Sequence, residues 1–186
     1  MKIILGQGNP EDKYIKTRHN IGWDLLTMLA ESRGESFRPK PKLHADIAEI
    51  TIAGEKVLLV QPNTYYNETG RSARAIIDFY KLYPEDILVL HDELAQPFGK
   101  LRVRHSGRDA GNNGIKSLNS HLGQSYARVR IGVNSPLRER LSDTDFVLKR
   151  FSQEEWRDIT EKSYPLVAQL IEDFVTDSLE DTSYSL

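Results

Sequence analysis

The sequence predicts a single α/β domain over residues 1–186, built on a mixed, mostly parallel twisted sheet with helices on both faces. Two aliphatic runs, residues 2–5 and 87–90, have the continuous apolar character of strands that are buried on both sides. Other segments have apolar residues that recur with the helical period. A chain of 186 residues has the usual length of one domain and can enclose a core.

The elements of the first half follow from periodicity and turn residues. After the first strand, apolar side chains at helical spacing from Ile21 onward predict a helix of about a dozen residues that ends near Gly34. Residues 35–45 predict an exposed basic loop. Strands over residues 47–53 and 56–60 are predicted to form a hairpin that turns at Gly54-Glu55.

The second half predicts three helices and three strands. The helices are expected through residues 73–80, over residues 115–122, and after a capping box at 152–155, the last of them interrupted at Pro165. The strands are the central run from residue 87 and the segments 100–104 and 126–133. Alternation in segment 100–104 places its basic residues on one face.

The central run ends in His91, Asp92 and Glu93. Open α/β sheets bind ligands beyond the carboxyl ends of their strands, so Asp92 is expected at a crevice. His19 comes directly before a predicted helix, where the helix dipole slightly disfavours a protonated imidazole. Taken alone, a polar strand end is more typical of a solvated turn, and a single histidine before a helix usually has no catalytic role.

Composition and charge restrict the classes of function. The 39% apolar and 28% charged content is that of a soluble globular protein, and the absence of cysteine excludes disulfides and thiolate chemistry. No signal or membrane segment is evident, which leads us to expect a cytoplasmic protein. Residues 99–138 hold eight Lys and Arg against one Asp, a balance of +7, whereas residues 139–186 have a balance of −7. The basic sector keeps phosphate binding plausible despite a net charge of −2.

Five motifs in order carry a resemblance to one family. They are Gly6-x-Gly8-Asn9-Pro10 with Tyr14 and Thr17-Arg18-His19-Asn20-x-Gly22, then Pro62-x-Thr64-x-x-Asn67-x-x-Gly70, His91-Asp92-Glu93-Leu94-x-x-Pro97-x-Gly99, Gly111-x-Asn113-Gly114 and Arg128-x-Arg130-Ile131-Gly132. This pattern resembles bacterial peptidyl-tRNA hydrolase over nearly the whole chain. That family cleaves the ester that joins a peptide to the terminal ribose of tRNA.

The resemblance implies roles for ten residues. His19 would be the general base that activates water, Asp92 would orient it, and Asn9 would recognise the amide of a peptidyl or N-blocked aminoacyl group. The residues implied in binding the tRNA end and its phosphates are Tyr14, Tyr65, Asn67, Asn113, Arg102, Arg104 and Arg130. No metal and no organic cofactor is implied, and we expect a monomer.

The chain departs from the family pattern around these positions. The family usually has Met at the position of Tyr66, Lys at Gln61 and His at Asn112. The segments 105–107 and 134–135 replace a Gly-Gly-Gly run and a Gly-Arg or Gly-His pair. Substrate affinity and preference are the properties that these departures put in question.

Two alternatives differ in class from the hydrolase. One is a non-catalytic RNA-binding protein on the same scaffold, although binding alone does not require His19, Asp92 and Asn9 together. The other is metal-dependent hydrolysis through His91, Asp92 and Glu93. Adjacent residues on a strand point to opposite faces, so these three side chains do not easily converge on one ion.

Overall fold

A computed structural model describes residues 1–186, with eight strands in one mixed sheet. In chain order the strands are β1 (Lys2–Gly6), β2 (Arg38–Lys40), β3 (Ala45–Ile52), β4 (Glu55–Pro62), β5 (Ile87–Pro97), β6 (Lys100–Arg104), β7 (Ala127–Asn134) and β8 (Ser183–Ser185). Their order across the sheet is β2-β3-β4-β1-β5-β7-β6-β8.

The sheet confirms the predicted mixed, mostly parallel topology. The four central strands β4, β1, β5 and β7 are mutually parallel. Strands β3 and β6 are antiparallel to their neighbours on both sides, so six of the eight strands run in one direction. The carboxyl ends of the four central strands therefore meet at one edge, where a ligand site is expected.

Helices cover both faces of the sheet. They are α1 (Ile21–Ser32), α2 (Thr69–Tyr80), α3 (Asn113–Leu122), α4 (Asp143–Val147), α5 (Gln153–Asp158) and α6 (Tyr164–Val175), with a π-helical turn at Ile159–Ser163. Helices α1 and α6 pack on one face, and α2 and α3 pack on the other. None of these helices is long and apolar enough to cross a bilayer.

Strand β5 contributes to both hydrophobic cores. Leu88 and Leu90 face the core under α1 and α6, whereas Ile87 and Val89 face the core under α2 and α3, and all four are fully buried. Burial of each such side chain contributes about 1.5–3 kcal/mol. The aliphatic run therefore fixes β5 at the centre of the sheet and sets the position of the polar residues that follow.

The alternative that His91, Asp92 and Glu93 begin a solvated turn is wrong, because strand β5 continues to Pro97. His91, Asp92 and Glu93 still pair in register with β7, and the register shifts only between Glu93 and Pro97. Asp92 therefore lies on an ordered strand whose backbone is paired on the β7 side. This backbone holds the carboxylate more firmly than a solvated turn would.

Two details before residue 63 differ from the predictions. The segment predicted as a loop at 35–45 contains the edge strand β2 and a 3-10 turn at Pro41–Leu43, because Leu43 is buried against the core under α2. The β3–β4 hairpin turns at Ala53-Gly54, one residue earlier than predicted. Both turn residues have positive φ, 49° and 80°, as the common two-residue hairpin turn requires.

The C-terminal region also differs. The capping box is confirmed, since Ser152 and Glu155 bond reciprocally to each other's backbone N–H groups. Pro165 does not interrupt the helical run, because it occupies the first turn of α6, where its missing N–H is tolerated, and the preceding π turn absorbs the irregularity. Strand β8 was not predicted, since three residues without an apolar run give no strand signal.

Candidate active site

An open pocket of about 590 Å³ lies at the carboxyl edge of the central strands. Seven of the ten predicted site residues line it, namely Asn9, Tyr14, His19, Tyr65, Asn67, Asp92 and Asn113. The remaining three, Arg102, Arg104 and Arg130, lie outside its wall. The structure therefore brings the predicted catalytic residues and the residues predicted to bind the tRNA end into one pocket. It places the three arginines predicted to bind phosphates outside that pocket.

His19 and Asp92 form a hydrogen-bonded pair. Nδ1 of His19 lies 2.9 Å from Oδ2 of Asp92. Burial alone would raise the pKa of Asp92, but the charge of His19 and the hydrogen bonds from His19 and Tyr66 hold that pKa below its usual value. The ionised carboxylate can only accept, so Nδ1 carries the hydrogen and Nε2 of the neutral imidazole keeps its lone pair.

Close backbone packing brings the His19 segment onto β5. Gly22, at the start of α1, lies against the Leu90 carbonyl, and a Cβ at this position would overlap that oxygen. The amide of Gln7 donates to the same carbonyl at 3.0 Å. A glycine is therefore required at residue 22 because the helix start must approach the strand closely enough for His19 to reach Asp92.

Arg18 fixes the other side of this segment. Its guanidinium is 1% exposed and donates to Glu155 at 2.7 and 2.9 Å and to the Arg150 carbonyl at 2.9 Å. It also lies over the rings of Phe146 and Phe151, at 4.7 and 5.0 Å from their centroids. A buried and stacked arginine with several charge-assisted hydrogen bonds holds a fixed geometry, so it anchors the residue adjacent to His19. The sequence motif includes Arg18, but nothing in the sequence identifies its distant partner.

Asp24 supports the same loop from within α1. Its Oδ2 accepts the amide of Lys16 at 2.9 Å, where the backbone has a left-handed φ of 60°. Asp24 is 7% exposed, and burial raises its pKa to about 7, against the hydrogen bond and charge of Lys16. The ionised carboxylate is therefore destabilising in the folded protein relative to the neutral acid.

Asp24→Asn is expected to stabilise the protein in a pH-dependent manner. The folded pKa of about 7 lies above the unfolded value of 3.8, so the folding free energy weakens as pH rises between these values. The asparagine avoids this loss and can still accept from Lys16. We expect a gain of roughly 2–4 kcal/mol in the free energy of unfolding at pH 8 and a smaller gain of about 1 kcal/mol near pH 4.5.

Urea unfolding at both pH values measures this effect. Asp12→Asn is a matched control, since Asp12 is an exposed carboxylate in the same loop. An equal change for Asp24→Asn at the two pH values would show that its charge is not the cause.

Asn9 is fixed by a reciprocal contact with Asn20. The Asn20 side chain accepts from the Asn9 amide at 2.9 Å and donates to the Asn9 carbonyl at 3.0 Å. The Oδ1 atom of Asn9 accepts the Tyr66 amide at 2.8 Å. The side-chain amide of Asn9 thereby has one orientation, with Nδ2 left to donate into the pocket. Asn20 is a site residue that sequence reasoning did not single out.

Four of the predicted binding residues form the exposed rim of the site. Tyr65 is 57% exposed, Tyr14 is half-buried, and Asn67 and Asn113 are exposed. Both asparagines also line a second cavity of about 550 Å³ between α2 and α3, whose other lining residues are polar or charged, namely Glu68, Arg71, Lys116, Ser117, Ser120 and His121. The two asparagines therefore mark the passage between the two cavities.

The wall of the pocket includes Tyr66, Asn112 and Arg138, which were not predicted as site residues. In the sequence, Tyr66 and Asn112 are distinguished only as departures from the family pattern. Arg138 donates to Asp143 at 2.8 Å and to the Leu94 carbonyl at 2.9 Å, and these bonds join the outer wall to β5. Arg138 belongs to the basic sector that the sequence shows at residues 99–138, but its position at the pocket was not predicted.

The three arginines outside the pocket lie on β6 and β7. Arg102 stands directly opposite Arg130 in the β6–β7 pair. Arg130 donates to Glu93 through Nε at 2.9 Å, so part of its charge is offset, and Arg104 donates to the Thr182 carbonyl at 3.2 Å. Glu93 lines the pocket, which places Arg130 directly behind the wall.

The three consecutive polar residues on β5 do not converge. Nδ1 of His91 donates to the Asp92 carbonyl at 2.8 Å, and Glu93 binds Arg130 rather than His19. No group of three or more His, Cys, Asp or Glu side chains in residues 1–186 is arranged to hold a metal ion.

The fold and site define an α/β protein with an imidazole–carboxylate pair in an open, polar pocket, which is the arrangement of a hydrolase. The sequence model of peptidyl-tRNA hydrolase matches residues 3–185. The chain belongs to the peptidyl-tRNA hydrolase family, whose members are enzymes that hydrolyse peptidyl-tRNA.

Individual relatives agree with this assignment. A peptidyl-tRNA hydrolase of Ligilactobacillus salivarius (strain UCC118) is 42% identical over 156 residues, covering 83% of each chain. One of Prochlorococcus marinus (strain MIT 9303) is 43% identical over 160 residues, 83% of this chain and 78% of that protein. A crystal structure of a peptidyl-tRNA hydrolase with N-propanol has a TM-score of 0.85 at 32% identity, covering 95% of this chain and 89% of the other.

Proposed function

We propose that this enzyme hydrolyses the ester between a peptide, or an N-blocked aminoacyl group, and tRNA, with His19 as the general base and Asp92 as its orienting group. The observation that carries the proposal is the 2.9 Å contact between His19 Nδ1 and Asp92 Oδ2 at an open pocket. The His19 side chain is 18% exposed and Asp92 only 2%, so the imidazole meets solvent while the carboxylate stays behind it.

The chemical step follows from this geometry. Nε2 of His19 takes a proton from water as the water oxygen attacks the ester carbonyl carbon. Asp92 stabilises the imidazolium that forms, without itself taking the proton. The bond to the ribose oxygen then breaks and that oxygen receives a proton, which gives a free carboxylic acid and a tRNA with a free terminal hydroxyl.

Asn9 accounts for discrimination between blocked and free aminoacyl groups. Its Nδ2 is directed at the pocket because Oδ1 is held by the Tyr66 amide. A carbonyl oxygen of the first peptide bond would accept from this donor, and an aminoacyl ester with a free amine has no such carbonyl. Loss of a hydrogen bond that the site is built to make gives strong discrimination.

The tRNA end is expected along the passage between the two cavities. Asn67 and Asn113 lie where the cavities meet, and Lys116 and Arg71 carry positive charge in the second one. The exposed ring of Tyr65 and the half-buried ring of Tyr14 are suited to stack on the terminal nucleotide.

Release of free tRNA from an N-blocked aminoacyl-tRNA, measured beside the unblocked equivalent, tests the proposed function. We expect cleavage of the blocked substrate and much slower cleavage of the free one. Cleavage of neither, with binding retained, would favour a non-catalytic RNA-binding protein instead.

Changing Arg102 and Arg104 together to Ala is expected to raise KM for substrates with an intact tRNA body by about tenfold. The dependence of log binding constant on log salt should become shallower by roughly one to two, because fewer counterions are released. Short substrates that lack the tRNA body should be affected much less.

A matched control is the double change of Arg33 and Arg157 to Ala. These side chains lie on α1's C-terminal end and on α5, away from β6, and the change removes the same charge. Equal damage with long and short substrates would mean that Arg102 and Arg104 support the fold or the chemistry instead.

We also propose that residues 1–186 act as one domain, as a monomer in the cytoplasm. One core includes residues from Ile4 to Val175, and the residues assigned to the chemistry, His19, Asp92 and Asn9, line one pocket. The substrate forms where ribosomes translate. Light scattering at working concentrations tests the monomer, and a dimer mass would contradict it.

A further inference from the structure

Tyr66 contacts both members of the His19–Asp92 pair. Its ring stacks on the His19 imidazole with centroids 3.4 Å apart and planes inclined by 13°. Its hydroxyl lies 2.5 Å from Oδ1 of Asp92, the carboxylate oxygen that His19 does not use. Tyr66 is 2% exposed, so both contacts are sheltered from water.

The direction of the hydrogen bonds around Tyr66 is fixed by α3. The backbone N–H of Ile115 donates to Oδ1 of Asn112 at 3.0 Å, which caps the helix and orients the Asn112 amide. Nδ2 of Asn112 therefore faces the Tyr66 oxygen and donates to it at 2.9 Å. The hydroxyl hydrogen of Tyr66 is then left to donate to Asp92.

Tyr66 remains a donor across the working pH range. Burial, together with the nearby charge of Asp92, raises the pKa of the Tyr66 phenol well above its usual value. Gly114 also lies against the Cδ1 and Cε1 atoms of this ring, where a Cβ would overlap them. The ring therefore contacts both the imidazole and the start of α3.

A carboxylate that accepts two hydrogen bonds shares its negative charge between them. The bond from Tyr66 draws charge away from the His19 side of Asp92, so the carboxylate attracts a protonated imidazole less strongly. Without the hydroxyl, Asp92 would favour the imidazolium more, and His19 would lose its proton only at a higher pH.

We propose that Tyr66 is a positioning residue for the hydrolysis. Its ring fixes the plane of the His19 imidazole, and its hydroxyl, oriented by Asn112, weakens the attraction of Asp92 for the protonated imidazole. The proposal rests on the proposed function, in which His19 is the base. It assigns a joint task to two residues at which this chain departs from the family pattern.

The other titratable groups around the His19–Asp92 pair are neutral or form ion pairs of their own. Burial, with the charge of Arg128, lowers the pKa of His91 to about 4, so that ring is neutral. Glu93 is paired with Arg130, and Arg138 on the outer wall is paired with Asp143. Tyr14 and Tyr65 complete the ionisable groups of the pocket. The Tyr66 hydroxyl is the only one of these groups that hydrogen bonds to the Asp92 carboxylate besides His19.

Tyr66→Phe tests the hydroxyl because it keeps the ring. We expect the acidic limb of the kcat/KM profile to move up by roughly half to one pH unit, which lowers activity on the acidic side by about three- to tenfold. The NMR titration midpoint of the His19 ring proton, assigned by its absence in His19→Ala, should move by the same amount. Unchanged signals from the other four histidines report an intact fold.

Asn112→Ser tests the orienting step. Serine still caps the helix, but its short side chain does not reach Tyr66. We expect a smaller upward shift from this change alone and none when it is added to Tyr66→Phe. A double variant that shifts further than Tyr66→Phe would show that Asn112 acts independently of the phenol.

Tyr66→Leu removes the ring as well as the hydroxyl. We expect a lower kcat than in Tyr66→Phe at a pH where His19 is neutral in both, because the imidazole is no longer held in one plane. Equal kcat in the two variants would remove the ring from the proposal.

The NMR titration separates this proposal from the proposed function, since it requires no substrate. A wild-type protein that fails to cleave N-blocked aminoacyl-tRNA would refute the hydrolase, whatever the titration gives. A His19 midpoint that stays unchanged or falls in Tyr66→Phe would overturn the role of the hydroxyl, even in an active enzyme.

Discussion

His19→Ala is expected to lower turnover of N-blocked aminoacyl-tRNA by roughly 10²–10⁴-fold, while tRNA binding stays close to that of the wild type. The imidazole is the group at the pocket whose free nitrogen can take a proton from water, since Asp92 holds the other nitrogen at 2.9 Å. A general base contributes to the barrier and little to the affinity of the ground state. Single-turnover release of tRNA and filter binding measure the two effects separately.

His44→Asn provides a matched control. His44 is exposed in a left-handed turn with φ of 51°, a backbone conformation that asparagine tolerates, and it lies away from the pocket. This variant removes one imidazole and should keep full turnover. Wild-type turnover in His19→Ala would remove His19 from the mechanism.

Asp92→Asn should lower turnover by roughly 10²–10⁴-fold and also move the acidic limb of kcat/KM to lower pH. The carboxylate accepts from both His19 and Tyr66, whereas an asparagine has one accepting oxygen for these two donors. If its amide nitrogen faces the ring, His19 must adopt the tautomer whose Nε2 carries the hydrogen and cannot act as a base. Loss of the charge also weakens the imidazole as a base, so it stays deprotonated further down in pH.

Glu93→Gln is the control for the charge itself. It removes a negative charge from the adjacent residue, whose carboxylate binds Arg130 instead of His19. The acidic limb should move much less in this variant. If Asp92→Asn lost activity with an unmoved limb, Asp92 would have some task other than supporting the base.

The sequence was sufficient to predict the central elements because their signals are local. Residues 87–90 are apolar at consecutive positions, and this pattern alone predicts a strand buried on both faces, as β5 is. His19, Asp92 and Asn9 came from motifs, and the structure brings them to one pocket. Their roles follow from the family resemblance and stay proposals.

What could not be predicted depends on contacts between distant residues. Asp24 is an acidic residue in the first turn of a helix, where the dipole favours it at the surface, yet it is buried because Lys16 turns back over it. In the sequence Tyr66 is distinguished only as a departure from the family pattern. Its role depends on a 2.5 Å contact between its hydroxyl and Oδ1 of Asp92, which lies 26 positions away in the chain. Strand β8 exists only because β6 offers it an unpaired edge.

The Arg18 anchor has a consequence for the time at which the loop that carries His19 reaches its final position. The partners of Arg18 lie 131 to 137 positions later in the chain, so the loop that presents His19 is anchored by residues that are synthesised long after it. Contacts of such sequence separation form late and slowly in folding. On the ribosome, a growing chain carries both His19 and Asp92 long before α5 emerges. The loop that carries His19 therefore takes its anchored position only after residues 149–155 have been synthesised.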